Sequence, residues 1–420
     1  MSSSTEELPD VAYAVALARL DEMTPVRLSR LLRDRLAAEV YAELLDDSRL
    51  LAQSLLDLPS FGSRQARTER DPARLPADTS WGTTGSVTER SDRRAAVQAT
   101  LGRWANESAR VSVAAGWAQL AEAGIGAVRR GEAGYPRRML RAQTAPEVLY
   151  FKGSVDEGSA PSVGIVGTRK ATPYGRSVAT EFGRELASRG VVVVSGLAAG
   201  IDAAAHWGVM QARERSHGPL AVVGGGVDVV YPAANRELWS LVGSFGGVVS
   251  DAPPGAAPEP WRFPLRNRLI AAMSQVLVVV ESTRRGGAMH TVQAADAIGV
   301  PVLAVPGSVR SPQSEGTNAI IQAGARLALD VHDVLVALDM ESAASPLPRG
   351  TGRGGTNSRE PLASCTPAEK LVYEAVADTP TPTEFVCQAS KLDLGVVALS
   401  LERLEELGLV CSVGPDWCRL

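Results

Sequence analysis

The sequence predicts a doubly wound α/β protein, with a small helical region before the sheet and a small winged helix after it. Two observations in the stretch 161–338 carry the central prediction. Six short runs, Val163–Val166, Val191–Ser195, Leu220–Val223, Gly247–Ser250, Val276–Glu281 and Val302–Val305, are almost continuously apolar. Strands buried on both faces of a parallel sheet read this way. Between them lie helical stretches such as Arg176–Ser188, Ile201–Gln211, Leu265–Met273 and Ala288–Ile298, each reached through a Gly-rich turn. Strand, turn and helix repeating in order predict right-handed crossovers onto one sheet.

The flanking regions differ in texture. In 1–60, Ala14, Leu17, Leu20, Val26, Leu28, Leu31 and Leu32 recur at helical spacing, and Thr24-Pro25 reads as an N-cap followed by a first-turn proline. Residues 61–100 read as a polar insert or mobile loop, because Gly, Ser, Thr, Pro and charge dominate from Phe61 to Arg94. Helical pattern resumes from Ala95 to Ala123, so 101–160 is expected to be a helical connection to the core. A Ser-, Pro-, Gly- and Arg-rich linker covers 339–364. In 365–420, Pro367–Val376 and Val396–Leu407 read as helices, followed by Gly408 and the β-rich run Leu409–Val413. That order suits a winged helix-turn-helix.

Composition narrows the function classes. The 420 residues are 45% hydrophobic and 21% charged, ordinary values for a globular chain, and the net charge is −4. Attraction to a polyanion must therefore come from a local patch. Cys365, Cys387, Cys411 and Cys418 form no C-x-x-C pair, and His206, His217, His290 and His332 show no metal-ligand spacing, so no metal and no cofactor are expected. The start is acidic and polar and no run is long enough to span a membrane, which predicts a cytoplasmic protein without membrane contact. Neither a G-x-S-x-G elbow nor a phosphate-binding G-x-x-x-x-G-K-[ST] loop occurs. Asp202 and His206, four apart on one helix, read as a capping carboxylate and its neighbour more readily than as a catalytic pair.

In an open α/β sheet, ligands bind at the carboxyl ends of the strands. There this sequence places Gly167-Thr168-Arg169-Lys170, then Ser195-Gly196-Leu197, then Gly224-Gly225-Gly226, then Phe263-Pro264-Leu265-Arg266-Asn267-Arg268 at a helix start, then Arg284-Arg285-Gly286-Gly287. Small residues let a phosphate approach the backbone, and helix N-termini offer free N–H groups. Residues 166–190 and 258–290 each carry a net charge of +3, mostly as arginine, which suits bidentate phosphate contacts. Tyr174, Tyr231, Trp261 and Phe263 lie close enough to these turns to stack on bases.

These residues resemble the DprA (Smf) family of DNA-processing proteins. The resemblance rests on Gly164-Ile165-Val166-Gly167-Thr168-Arg169, on Ser195-Gly196-Leu197-Ala198-Ala199-Gly200-Ile201-Asp202 with His206, and on Val222-Val223-Gly224-Gly225-Gly226-Val227-Asp228 with Tyr231-Pro232. Phe263 to Ile270, Ala304-Val305-Pro306-Gly307 and Gly316-Thr317-Asn318 extend it. It implies an extended Rossmann-like fold that binds single-stranded DNA without catalysis, a homodimer, and a role in loading the recombinase RecA during natural transformation. It assigns DNA contact to Gly167, Thr168 and Arg169 and to Arg266, Asn267 and Arg268. With the turns read above, the expected interface is Gly167, Thr168, Arg169, Lys170, Gly196, Gly225, Phe263, Arg266, Asn267, Arg268, Arg284, Arg285, Gly286 and Gly287.

This chain departs from the family pattern in two places. Glu22-Met23-Thr24-Pro25 stands where a helix-hairpin-helix would carry a Gly-x-Gly turn, and Arg284-Arg285-Gly286-Gly287 is more basic than the usual Ser-Gly-Ser turn. The competing enzyme reading is a nucleotide phosphoribohydrolase of the lysine-decarboxylase-like group. That chemistry needs a glutamate in the turn that corresponds to 284–293, and none is present.

Overall fold

Each apolar run becomes a strand because its β-branched residues bury both faces. In the computed structural model, which describes residues 8–56, 87–142, 144–155, 160–213, 217–338, 365–376, 381–407, 409–413 and 416–419, the chain forms two compact units, 1–343 and 344–420.

The first unit opens with helices α1 (Asp10–Ala18), α2 (Pro25–Leu31), α3 (Ala37–Asp47) and α4 (Ala52–Leu56). The Thr24 side chain accepts from the Arg27 backbone N–H, as the Thr-Pro signature requires. Helix α5 (Val87–Ser108) follows, then α6 (Val113–Glu122). Part of the expected insert is therefore helical from Val87. Its early residues Ser91 and Asp92 are exposed and give no apolar stripe, whereas Val97, Leu101 and Trp104 bury one face. The rest of that insert, 61–86, and the linker 339–364 lie outside the described residues.

The stretch expected as a helical connection contains two strands as well, β1 (Gly126–Arg129) and β2 (Val148–Gly153). They pair antiparallel with each other, and β2 pairs antiparallel with a later strand, β6. The remaining elements alternate: β3 (Ser162–Val166), α7 (Pro173–Ser188), β4 (Val192–Ser195), α8 (Ile201–Gln211), β5 (Leu220–Val222), α9 (Arg236–Phe245), β6 (Gly247–Ser250), α10 (Arg262–Met273), β7 (Val276–Val279), α11 (Ala288–Ala297) and β8 (Val302–Ala304). Helix α12 (Glu315–Gln322), β9 (Arg326–Leu327) and α13 (Val331–Ala337) complete the unit.

The nine strands run in the order β1-β2-β6-β5-β4-β3-β7-β8-β9, parallel from β6 to β9. Winding goes outward from β3 to β6 and then restarts on the other side at β7. The switch point therefore lies between β3 and β7, where a crevice opens at the carboxyl ends. One apolar layer joins the sheet to α10 and α11 and another joins it to α7, α8 and α13. Helices α1 to α6 share a third layer with Val148 and Tyr150 of β2, Ala221 of β5 and Trp239 of α9. Arg129, at the end of β1, pairs with Asp10 and donates to the Leu32 carbonyl. The N-terminal helices are thus tied to the sheet's antiparallel edge by a common core and a half-buried ion pair.

The second unit contains α14 (Pro367–Ala375), β10 (Thr381–Pro382), α15 (Thr383–Ser390), α16 (Leu394–Glu406), β11 (Val410–Val413) and β12 (Asp416–Arg419). Its three strands form an antiparallel sheet in the order β10-β12-β11. Val372, Val386, Val397, Leu401 and Leu404 fill its core. A capping box of Thr366 and Glu369 starts α14.

Candidate nucleic-acid interface

The turn after β3 is held from below. Thr168 donates its backbone N–H to the Glu281 carbonyl, 2.7 Å away across the switch point. The Glu281 side chain is buried and accepts from the Thr172 backbone N–H at 2.9 Å and from the Thr172 hydroxyl. Thr172 in turn caps α7, accepting from the Gly175 N–H. Gly167 is small because a Cβ there would press on the Glu281 carbonyl at 2.7 Å. Glu281 thus fixes both ends of the turn, its backbone carbonyl at Thr168 and its carboxylate at Thr172, and Arg169 and Lys170 are left exposed on its crest. In the sequence Glu281 only closes the apolar run Val276–Glu281, and a carboxylate at the end of such a run is the signal for its role.

Beside this turn lies an open cleft of about 560 Å³. Gly167, Thr168 and Arg169 form one wall, Phe263, Asn267 and Arg266 another, and Gly286, Gly287 and His290 a third. The Arg169 guanidinium sits 4.7 Å from the Phe263 ring centroid, and Tyr231 lies 5.6 Å from the same ring. This cation–aromatic cluster brings together two of the four aromatic residues expected near the turns. The other two behave differently. Trp261 stacks under Arg262, and Tyr174 donates to the Pro306 carbonyl. His290, read in the sequence only as a histidine without metal spacing, lines the cleft.

Several expected contacts turn inward. Arg266 is almost completely buried, donates to the Val222 carbonyl, and lies against Asp202 beneath Gly196. Burial pulls its pKa down to about 10, and burial pushes the Asp202 carboxyl up while Arg266 pulls it back. Arg268 is also buried. It pairs with Asp251 at 3.0 Å and donates to the Thr144 hydroxyl at 2.8 Å. These two arginines act as internal struts rather than exposed contacts: Arg266 borders the cleft from its buried position beside Asp202, and Arg268 pairs with Asp251. Burial also drives the neighbouring His206 imidazole down to about 3, which keeps it neutral.

The glycines divide in the same way. Gly196 is small to admit Arg266, since a Cβ there would collide with the guanidinium. Gly225 is buried under the loop 253–258, where a Cβ would meet the Ala256 carbonyl at 2.9 Å. Both border a smaller cavity of about 140 Å³ beside Arg169 and Phe263 rather than the open cleft. Gly286 packs on the Ser282 hydroxyl, whereas Gly287 faces open space and its carbonyl accepts from Asn267. Arg284 and Arg285 are exposed on the same turn but do not line the cleft. The exposed basic residues among the expected set are therefore Arg169, Lys170, Arg284 and Arg285.

Comparison with known proteins decides the family. A family model described as DNA recombination-mediator protein A matches residues 127–339, just over half of the chain. The chain belongs to this family. Among its relatives in the DNA recombination-mediator protein A family, Protein Smf of Synechocystis is 33% identical over 302 residues, 66% of this chain and 75% of that protein. DNA processing protein DprA of Streptococcus pneumoniae is 36% identical over 205 residues, 49% of this chain and 71% of that protein. The crystal structure of DprA from Streptococcus pneumoniae superposes with a TM-score of 0.54 at 25% identity, covering 79% of this chain and 98% of that one. The family match begins at β1 and ends past α13, so it spans the whole nine-stranded sheet and the cleft.

Proposed function

We propose that the cleft at the switch point binds the sugar–phosphate backbone of single-stranded DNA in a DNA-processing role. The observation that carries this reading is the Arg169 turn. It projects an exposed guanidinium beside the Phe263 and Tyr231 rings at the mouth of the cleft, with no carboxylate paired to it among the described residues. A strand of unpaired nucleotides needs a positive track for phosphates and flat aromatic faces for bases, and both occur here within one cluster. The relatives named as DNA processing proteins support the reading. In it, Gly167, Thr168, Arg169, Lys170, Asn267 and Gly287 face the strand, and Arg284 and Arg285 flank it.

Family membership extends the proposal to loading of RecA onto the bound strand and to a homodimer. The open edge strand β9, with Leu327 and Leu329 exposed beside it, supports a second copy as partner. We read the 344–420 unit as a winged helix with a protein-contact or regulatory role. Residues 365–420 carry nine acidic and four basic side chains, and Leu394 and Leu399 are exposed on α16. An acidic, apolar helix face repels a duplex groove. A gel-shift series on oligothymidylate at two salt concentrations tests the central claim. Wild type should bind with a steep salt dependence, and Arg169→Ala should bind all sequences less tightly. Equal binding by both proteins would remove the basis of the reading.

A further inference from the structure

The rim that carries the Arg169 turn continues beyond the strands that form the cleft. Strand β2 runs antiparallel to β6, and β1 runs antiparallel to β2, so β1 points the same way as the parallel strands. The residue that follows β1, Arg130, therefore emerges on the same rim as Asp251 after β6 and Gly167 after β3. The segment that enters β2, with Thr144, emerges there too. At ~4.8 Å per strand, the five steps from β3 to β1 place Arg130 about 24 Å along the rim from the Arg169 turn.

At that far end lies a second basic cavity, of about 290 Å³, formed where the N-terminal helices meet the sheet edge. Arg30 and Arg33 reach it from α2 and the turn after it, Arg130 from the end of β1, and Ser29 and Thr144 add hydroxyls. No carboxylate is exposed on its wall among the described residues, although the buried Glu147 behind it accepts from the Ser29 hydroxyl. Arg130 is fixed by the buried Glu147, 2.5 Å away. Thr144 also accepts from Arg268, which reaches back to Asp251 on the rim. The same hydroxyl thus borders this cavity and the strut that braces the middle of the rim. The N-terminal helices, which carry no DNA-binding signature in the sequence, supply two of its three arginines.

We propose that Arg30 and Arg33, with the Glu147-paired Arg130 as the cavity's back wall, form a second phosphodiester site, which holds the same DNA strand after it leaves the Arg169 turn. Guanidinium forks with neighbouring hydroxyls suit a phosphate's oxygens. This inference rests on the reading that the rim binds single-stranded DNA. A track of about 24 Å separates the two stations, about seven phosphates at the ~3.4 Å per-strand spacing of a helical stack and fewer in a stretched strand. A strand of about four nucleotides occupies only one station.

Anisotropy titrations with oligothymidylates of about four and about twenty nucleotides test it, with wild type, Arg33→Ala, Arg30→Ala/Arg33→Ala and Arg169→Ala. Arg33 is exposed, and an unchanged thermal melt confirms that its variant folds. Arg33→Ala should leave the short oligomer unaffected, weaken the long one about fivefold at ~0.1 M salt, and lower the salt slope by ~0.7. The double variant should weaken the long oligomer further. Arg169→Ala should weaken both lengths. If the Arg33 and double variants bind the long oligomer as wild type does while Arg169→Ala is impaired, the second station is overturned and the cleft reading stands. Equal loss on both lengths in the Arg33 variant also overturns it, because the site is then not a distant one. Wild-type binding by Arg169→Ala overturns the cleft reading itself.

Discussion

Residues 166–190 and 258–290 carry the same net charge of +3, yet the fold uses them in opposite ways. The first opens with an exposed turn that carries Arg169 and Lys170 on its crest. The second sends Arg266 and Arg268 inward to Asp202 and Asp251. A count of basic residues therefore measures two different quantities, attraction for an external polyanion and neutralisation of internal carboxylates. What separates them is the face of the element on which each residue sits. Arg169 belongs to a turn that Glu281 holds open, whereas Arg266 lies on the packed face of a helix.

The contrast predicts its largest effect at Arg266. Arg266→Met removes the cation and leaves Asp202 buried without its counter-charge, a change that costs about 3–5 kcal/mol. Urea unfolding near neutral pH should show it as a lower midpoint. Asp202 has its pKa raised by burial, and losing Arg266 raises it further. The loss should therefore shrink at acid pH, where the carboxyl is protonated, and grow as pH rises. A variant with wild-type stability and selectively weakened DNA binding would return Arg266 to the interface.

The buried histidine of the same cluster sharpens the point. His206 is fully buried with a folded pKa near 3, against an ordinary value near 6.5. The unfolded chain binds the extra proton between those values, so stability is complete above about pH 6.5 and falls as pH drops towards 3. Roughly 3 kcal/mol should be lost by pH 4, and the slope of unfolding free energy against pH should flatten in His206→Asn. If the slope is unchanged in that variant, the acid sensitivity belongs to other groups.

Gly196→Ala probes the same interior from the backbone side. The added methyl meets Arg266 and must displace it, an overpacking cost of about 1–3 kcal/mol. The thermal melt should fall while the Arg169 turn, anchored separately through Glu281, keeps its shape.

The sequence made six of the seven parallel strands and their helices visible because buried β-branched runs contrast with Gly-rich turns, whereas the exposed two-residue β9 gave no such run. Strands β1 and β2 were hidden. Val148-Leu149-Tyr150-Phe151 is a short apolar run that reads equally well as a buried helical turn, and its partner β6 lies far along the chain. The interface was legible to the level of the turn but not of the side chain. One signal for the correction was present. Arg266, Leu269, Ile270 and Met273 fall at positions i, i+3, i+4 and i+7, the buried stripe of α10, so the helical period itself turns Arg266 inward. Asn267 stands one residue off that stripe and borders the cleft.

Arg169→Ala should give the smallest change in free energy and the most informative one. Its guanidinium is exposed and, among the described residues, its ring contact is with Phe263, so the protein should melt and unfold in urea as wild type does. Loss of one phosphate contact should lower the salt slope by ~0.7 and weaken oligothymidylate binding about fivefold at ~0.1 M salt, close to 1 kcal/mol. Arg169→Lys should keep most of the salt slope, because the charge remains, and lose part of the affinity, because the ammonium neither forks nor stacks as a guanidinium does. Arg266→Met and Arg169→Ala then form a reciprocal pair, the first unstable with its binding loss explained by unfolding, the second stable with its loss explained by salt. Either variant carrying the other's signature would mean that burial does not divide the arginines of this rim as the fold indicates.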